Sequence, residues 1–329
     1  MSRRDAAVQG RGHRGSGRCG GWSAAALSVL LLCTSAPLRL SAQSLTVFTA
    51  GSLASPFHEL LDSFALSRPG VTPVQVNAGS VELARRIVDL GQVPDVFATA
   101  DLDVIPRLLV PQAADRYVAF ARNEMVLLHS TASLGADTIT GDNWWRVVTA
   151  PGVRMGASDP ALDPSGYRTL LVFDLAERHY GVPGLAARLR AALPRRYIRP
   201  SETDLIALVQ AGELDYAWSY RSLAVTSGLP YVALPAEIDL GDPADSAAYA
   251  AASVRIRRGG GGDSLELRGA PILYGLTIPH SAPHPELARA FVRFVLSPAG
   301  RSILARSGLT PLQRPRGYGG VPGNPPMFQ

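Results

Sequence analysis

From about residue 44 onward, the chain alternates between short β-rich apolar runs and stretches with helical periodicity. SLTVFTA is an apolar run that stops at Ala50-Gly51-Ser52-Leu53. SPFHELLDSFALSR follows, with Phe57, Leu60, Leu61 and Phe64 at helical spacing. Ser55 can cap that helix, and Pro56 suits its first position. TPVQVNA predicts a second strand. GSVELARRIVDLGQ predicts a second helix, with Val81, Leu83, Ala84, Ile87 and Val88 inward and Gly91 at its end. PDVFATA is a third strand, followed by a short helix through DVIPRLL. This alternation predicts a parallel sheet with helices on its faces.

The pattern then changes. YVAFARNEMVLLHS reads as one long extended stretch, and a loop carries Trp144 and Trp145. VRMGASDP is a strand with an abrupt polar exit. Helices are predicted through SGYRTLLVFDLAERHYG, VPGLAARLRAAL and TDLIALVQAG, and a strand through LDYAWSY. GGGGDS (Gly259 to Ser264) is a hairpin tip or loop, PILYGLTI a strand, and PELARAFVRFVLSPAGRSILARSG a long helix or helix pair. No internal repeat is found. The simplest assembly is two α/β lobes, each a mixed sheet flanked by helices. Lobe one takes residues 43–120 plus 270–315, lobe two takes 121–269, and 316–329 form a disordered Pro/Gly-rich tail. The chain is expected to cross between lobes near 117–123 and to return near 265–272.

Composition changes the picture mainly at the N-terminus. The chain has 329 residues, 47% of them hydrophobic and 18% charged, which is a globular composition. Its net charge of +5 comes entirely from Arg, as there is no Lys. Arg3, Arg4, Arg11, Arg14 and Arg18 account for the excess, so no basic face for nucleic acid is expected. The uncharged run SAAALSVLLLC and a small-residue exit follow them, the order of a secretory signal peptide over residues 1–42. A periplasmic location is therefore expected, and an uncleaved leader would anchor the protein to the membrane. Both cysteines, Cys19 and Cys33, fall in this leader. The mature chain would have no disulfide and no thiol chemistry.

Candidate chemistry gathers at strand-to-helix turns, where open α/β sheets bind ligands. Four such turns carry small, hydroxyl or acidic residues: Ala50-Gly51-Ser52, Ala78-Gly79-Ser80, Asp163-Pro164-Ser165-Gly166 and Ser201-Glu202-Thr203. Glycines admit a ligand to the backbone, and helix N-termini with serine hydroxyls suit an anion. Taken singly, each turn also reads as a helix cap, and Ser201 with Asp204 resembles a capping box. The histidines beyond the leader (His58, His129, His179, His280 and His284) form no H-E-x-x-H helix, and Ser52 lies outside any nucleophile elbow. Hydrolysis is the enzyme alternative and has little support. A receptor ectodomain would share the pocket.

Taken together, VFTAGSLASPFHELLDSF, VQVNAGSVELARRIVDLGQVPDVFATAD, SDPALDPSGYRTLLVFDLAE, ALVQAGELDYAWSYRSLAV and APILYGLTIP resemble the molybdate/tungstate-binding proteins of ABC importers. The closest branch is the tungstate-binding type, and the resemblance spans nearly all of residues 45–312. It implies the periplasmic-binding-protein fold, closing on a bare oxyanion, and a membrane permease as partner. It implies no enzyme activity and no cofactor, and a monomer is expected. By position, Ser52 and Ser80 match two donors of lobe one, Ser165 a backbone donor of lobe two, and Tyr220 a hydroxyl donor. Asp163 and Glu202 match two acids that approach the metal of the oxyanion itself and complete sixfold coordination. Ser165 departs from the usual Ala or Cys, and Ser219 is smaller than the apolar residue expected there. Phosphate or sulfate remains the alternative ligand.

Overall fold

The structure is a computed structural model, and it describes residues 43–257 and 264–319. The expected leader, with both cysteines and the cut after Ala42, lies outside the described residues. So does most of the glycine-rich loop.

The chain opens with β1 (Gln43–Ala50), β2 (Val71–Ala78), β3 (Val96–Thr99) and β4 (Arg116–Arg122). β5 (Met125–His129), β6 (Met155–Ser158), β7 (Ile198–Arg199), β8 (Tyr216–Tyr220) and β9 (Tyr231–Ala233) follow. β10 (Ser253–Arg257) and β11 (Ser264–Arg268) pair antiparallel, and β12 (Leu273–Thr277) and β13 (Thr310–Gly319) end the series. A six-stranded sheet has the order β13-β4-β12-β3-β1-β2, and a five-stranded sheet the order β7-β6-β8-β5-β9. Both are mixed. β1 runs parallel to β2 and β3, while β12 is antiparallel to β3 and β4. In the second sheet β6 is parallel to β7 and β8, and β5 is antiparallel to β8 and β9.

The central strands of each sheet are buried on both faces, which is why they read as apolar runs rather than clean alternations. Along β1, Leu45 and Val47 face one core and Phe48 the other. Along β5, Met125 and Leu127 face one core, Val126 and Leu128 another. Period-two geometry divides the side chains between the two layers.

The helices supply those layers. They are α1 (Ala54–Leu66), α2 (Ser80–Leu90), α3 (Trp144–Val148), α4 (Pro164–Tyr180), α5 (Leu185–Ala191), α6 (Glu202–Gln210), α7 (Arg221–Ser227), α8 (Ser246–Tyr249), α9 (Pro285–Leu296) and α10 (Pro298–Arg306). Under the first sheet, Phe57 meets Phe120 and Phe291 edge to face, and Phe64 also meets Phe291. Burying each such ring contributes about 1.5–3 kcal/mol. Under the second sheet, Trp218 packs edge to face on Trp144 and Phe173.

Five expectations change. Ser55 does not cap α1, which starts at Ala54 after Leu53, and Val88 is exposed rather than inward. The stretch YVAFARNEMVLLHS is not one strand. β4 belongs to the first sheet and β5 to the second, so the chain crosses at Asn123–Glu124. It returns through Gly269–Ile272, where Asn123 N–H donates to the Ile272 carbonyl at 3.4 Å. The tryptophan pair lies on α3 rather than in a loop. Trp144 is fully buried and donates to the Tyr180 hydroxyl at 3.0 Å, so tertiary packing secures one helical turn there. The tail expectation fails for residues up to Gly319, because β13 pairs antiparallel with β4 as the edge strand of the first sheet. Pro311 and Pro315 are tolerated because an edge strand has one unpaired side. Residues 320–329 lie outside the described ones.

Candidate functional site

Both sheets present the carboxyl ends of parallel strands to a common junction. From the first sheet come the turn after β1, a single 3-10 turn at Gly51–Leu53, and the turn after β2, at Gly79–Ser80. From the second come the starts of α4 and α6 and the end of β8. The turns touch in pairs. A Cβ on Gly51 would lie 3.3 Å from the Thr203 methyl and 3.8 Å from Glu202 Cγ. A Cβ on Gly79 would lie 2.5 Å from the Leu162 carbonyl oxygen. That same carbonyl accepts from Val81 N–H at 3.2 Å and from Glu82 N–H at 3.3 Å. At Gly79 only glycine lets the two backbones meet this closely.

The six residues singled out from sequence all sit at this junction and all are buried: Ser52, Ser80, Asp163, Ser165, Glu202 and Tyr220. Ser52 and Ser80 are not caps. The Ser52 hydroxyl pairs with the Tyr274 hydroxyl at 2.8 Å, and the Ser80 hydroxyl accepts from Ala100 N–H at 3.0 Å. Asp163 does cap α4, accepting from Ser165 N–H at 2.9 Å, and its other oxygen accepts from Glu202 N–H at 3.3 Å. The Ser165 amide, implied as an anion donor, is thus engaged by Asp163. Its hydroxyl is what remains: it is buried near the Glu202 carboxyl, close enough to act on its charge but without the geometry of a formed hydrogen bond. Ser201 forms the expected capping box, its N–H reaching Asp204 at 3.4 Å.

Electrostatics single out the two acids. Burial pushes the Asp163 carboxyl up to about 6, against the amides of Ser165 and Glu202 and the Arg168 charge. Burial, and then the charge of Asp163, push Glu202 well above the usual carboxylate range, while the Ser52, Ser165 and Ser219 hydroxyls oppose the shift. Ser219 donates to Glu202 at 3.4 Å, so the small residue noted in the sequence leaves room for a carboxylate. Burial also raises the Tyr220 hydroxyl well above its ordinary value, so it stays protonated and able to donate. Among the described residues, no group of three or more His, Cys, Asp or Glu is placed to hold a metal ion.

Sequence reasoning missed several residues here. Tyr274, within the quoted PILYGLTI, supports Ser52. Asn123 Nδ2 donates to the Tyr274 hydroxyl at 2.9 Å and to Ser222 at 2.7 Å. Its Oδ1 accepts from Glu124 N–H at 3.0 Å, which fixes the amide's direction. The Tyr274 oxygen therefore accepts from Asn123, and its hydrogen bond with Ser52, in which either hydroxyl can donate, fixes the position of the Ser52 side chain. Arg168, buried on α4, donates to the Tyr220 hydroxyl at 2.6 Å. No spacing signal marks Tyr274 or Asn123, because their partners lie 222 and 151 residues away in sequence.

Two packed α/β layers with a site at their shared strand ends define a two-lobe binding protein. The chain belongs to the bacterial extracellular solute-binding protein family, whose pattern matches residues 45–310. It is 41% identical over 273 residues to an uncharacterized solute-binding protein of Petrotoga mobilis, covering 83% of this chain and 85% of that one. It is 35% identical over 304 residues to the molybdate/tungstate-binding protein WtpA of Pyrococcus abyssi, covering 84% and 87%. Among solved structures, the periplasmic molybdate-binding protein of Azotobacter vinelandii superposes with a TM-score of 0.60 at 19% identity, covering 82% of this chain and all of that one. The fold is that of the periplasmic binding proteins.

Proposed function

We propose that this protein captures molybdate or tungstate outside the cytoplasm and delivers it to the permease of an ABC importer. On this reading it is not an enzyme. The lobes close on the oxyanion by moving about the crossings at Asn123–Glu124 and Gly269–Ile272. Ser52, Ser80, Ser165 and Tyr220 supply hydroxyl donors. Asp163 and Glu202 ligate the metal of the bound oxyanion.

The observation that carries this reading is the pair of buried acids among hydroxyl donors. A carboxylate about 4 Å from a dianion's charge is repelled by roughly 4 kcal/mol per pair of unit charges at an effective dielectric near 20. A site for sulfate gains nothing from two of them, since sulfur does not accept further oxygen ligands. Molybdenum and tungsten in the +6 state do. The unpaired Ser165 hydroxyl supports the same reading, because an oxyanion oxygen would satisfy it and relieve a burial cost of about 1–3 kcal/mol. The similarity to the Pyrococcus protein points the same way.

Titration calorimetry of the mature protein with tungstate, molybdate, sulfate and phosphate tests the proposal. Tungstate and molybdate should bind at least about a hundredfold more tightly than sulfate, about 2.7 kcal/mol. Equal sulfate affinity would overturn metal ligation. Preference for phosphate would point instead to a hydrogen phosphate that donates its proton to one of the acids.

A further inference from the structure

We infer that Arg168 is a positioning residue of the oxyanion site, setting the Tyr220 hydroxyl as a donor and tying it to the junction between the two sheets. The inference rests on the reading that Tyr220 contacts the bound anion.

A guanidinium carries only N–H donors. At 2.6 Å the Tyr220 oxygen must therefore accept from Arg168 Nη1. The phenol has a single proton, and it is turned away from Arg168, free to serve an acceptor in the site. Without Arg168 that hydroxyl could rotate and accept instead of donating, which an anion cannot use.

Arg168 reaches the first sheet as well. The same Nη1 donates to the Ala100 carbonyl at 2.6 Å, and Nη2 lies 3.4 Å from Asp101 Oδ1. Ala100 and Asp101 follow β3, whereas Arg168 and Tyr167 stand on α4. Asp101 also accepts from the Tyr167 hydroxyl, and from Arg107 at 3.0 Å. The other side of the Ala100 residue completes the chain, since its N–H donates to Ser80 Oγ. An unbroken line runs from Ser80 through Ala100 and Arg168 to Tyr220, joining a proposed donor on one sheet to a proposed donor on the other. Burial works against the charge on Arg168, but Tyr220, Tyr167 and Asp101 outweigh it and hold its pKa above the ordinary value. Lysine keeps the charge but has no planar fork to span three acceptors. One guanidinium thus links the Tyr220 hydroxyl of its own layer to Ala100 and Asp101 of the other.

A double-mutant cycle on tungstate affinity is the test, with thermal melts to confirm folding. Tyr220→Phe should weaken binding about tenfold. Arg168→Lys should weaken it at least about fivefold in the wild-type background and less than about twofold in the Tyr220→Phe background, because its effect passes through the hydroxyl. If Arg168→Lys does not fold, Asp101→Asn carries the same cycle, since it keeps the guanidinium and removes its carboxylate anchor. An equal loss in both backgrounds would overturn the inference and leave Arg168 a structural ion pair. An unchanged affinity in Tyr220→Phe would also overturn it, while the oxyanion function stood. A wild-type protein that binds no oxyanion would instead refute the proposed function.

Discussion

At the residue scale, the acids and hydroxyls of the junction do two things at once. Asp163 caps α4, so its substitution must separate capping from ligation. Asn caps about as well as Asp. Asp163→Asn should therefore keep the Ser165 cap but lose the acceptor for Glu202 N–H, costing about 1–3 kcal/mol of stability in the melt, and it should still weaken tungstate binding in calorimetry, although it removes a charge that would repel a dianion. Tighter binding would show that the acid only caps. Ser52→Ala removes a hydroxyl without disturbing a cap and should cost every bound oxyanion about 1–3 kcal/mol. Tyr274→Phe should cost less of that affinity, because it leaves the Ser52 hydroxyl in place and removes only the group that orients it.

At the element scale, the approach of the β2–α2 turn to the residues before α4 decides whether the site can form. Gly79 has φ −61°, so alanine there carries no backbone penalty. Its methyl would still collide with the Leu162 carbonyl. Gly79→Ala should thus fold normally but hold the two sheets apart, and small-angle scattering should show no compaction on adding tungstate. The crossings have an element-scale signature of their own. Asp239 accepts from Gly241 N–H at 2.6 Å, and its carbonyl accepts from Met125 N–H at 2.8 Å beside the first crossing. Burial, with Glu124 and Asp245 adding to it, raises its carboxyl from 3.8 to about 7. A raised folded-state pKa in an acid means the folded protein holds the proton more tightly than the unfolded chain. That contribution is full below the unfolded value and is lost as pH rises to about 7. In urea titrations the wild type should lose stability relative to Asp239→Asn between about pH 4 and pH 7; a constant difference would contradict the shift.

At the scale of the whole molecule, two mixed sheets joined by two crossing segments make a hinge available. A ligand that touches both sheets binds the approached arrangement better and shifts the population toward it. Small-angle scattering of the wild type should give a smaller radius of gyration with tungstate than without. Confirmed binding with no change would mean a rigid pocket.

The sequence alone determined the periodic helices, the apolar strands and the small-residue turns that end them. These are local properties: four turns with glycine, hydroxyl or acid announced four strand ends, and the structure brings those four ends together. It could not determine which sheet a strand joins. YVAFARNEMVLLHS reads as one extended stretch, and only the pairing of β4 with β12 and β13 and of β5 with β8 and β9 divides it between two sheets. Nor could Thr310–Gly319 be read as a strand, since its prolines and glycines carry little strand propensity and β4 supplies its pairing. The supports of the site, Tyr274 behind Ser52 and Arg168 behind Tyr220, were decided by tertiary structure. Each is a hydrogen bond between groups far apart in the chain, and such a bond leaves no period or spacing in the sequence to read.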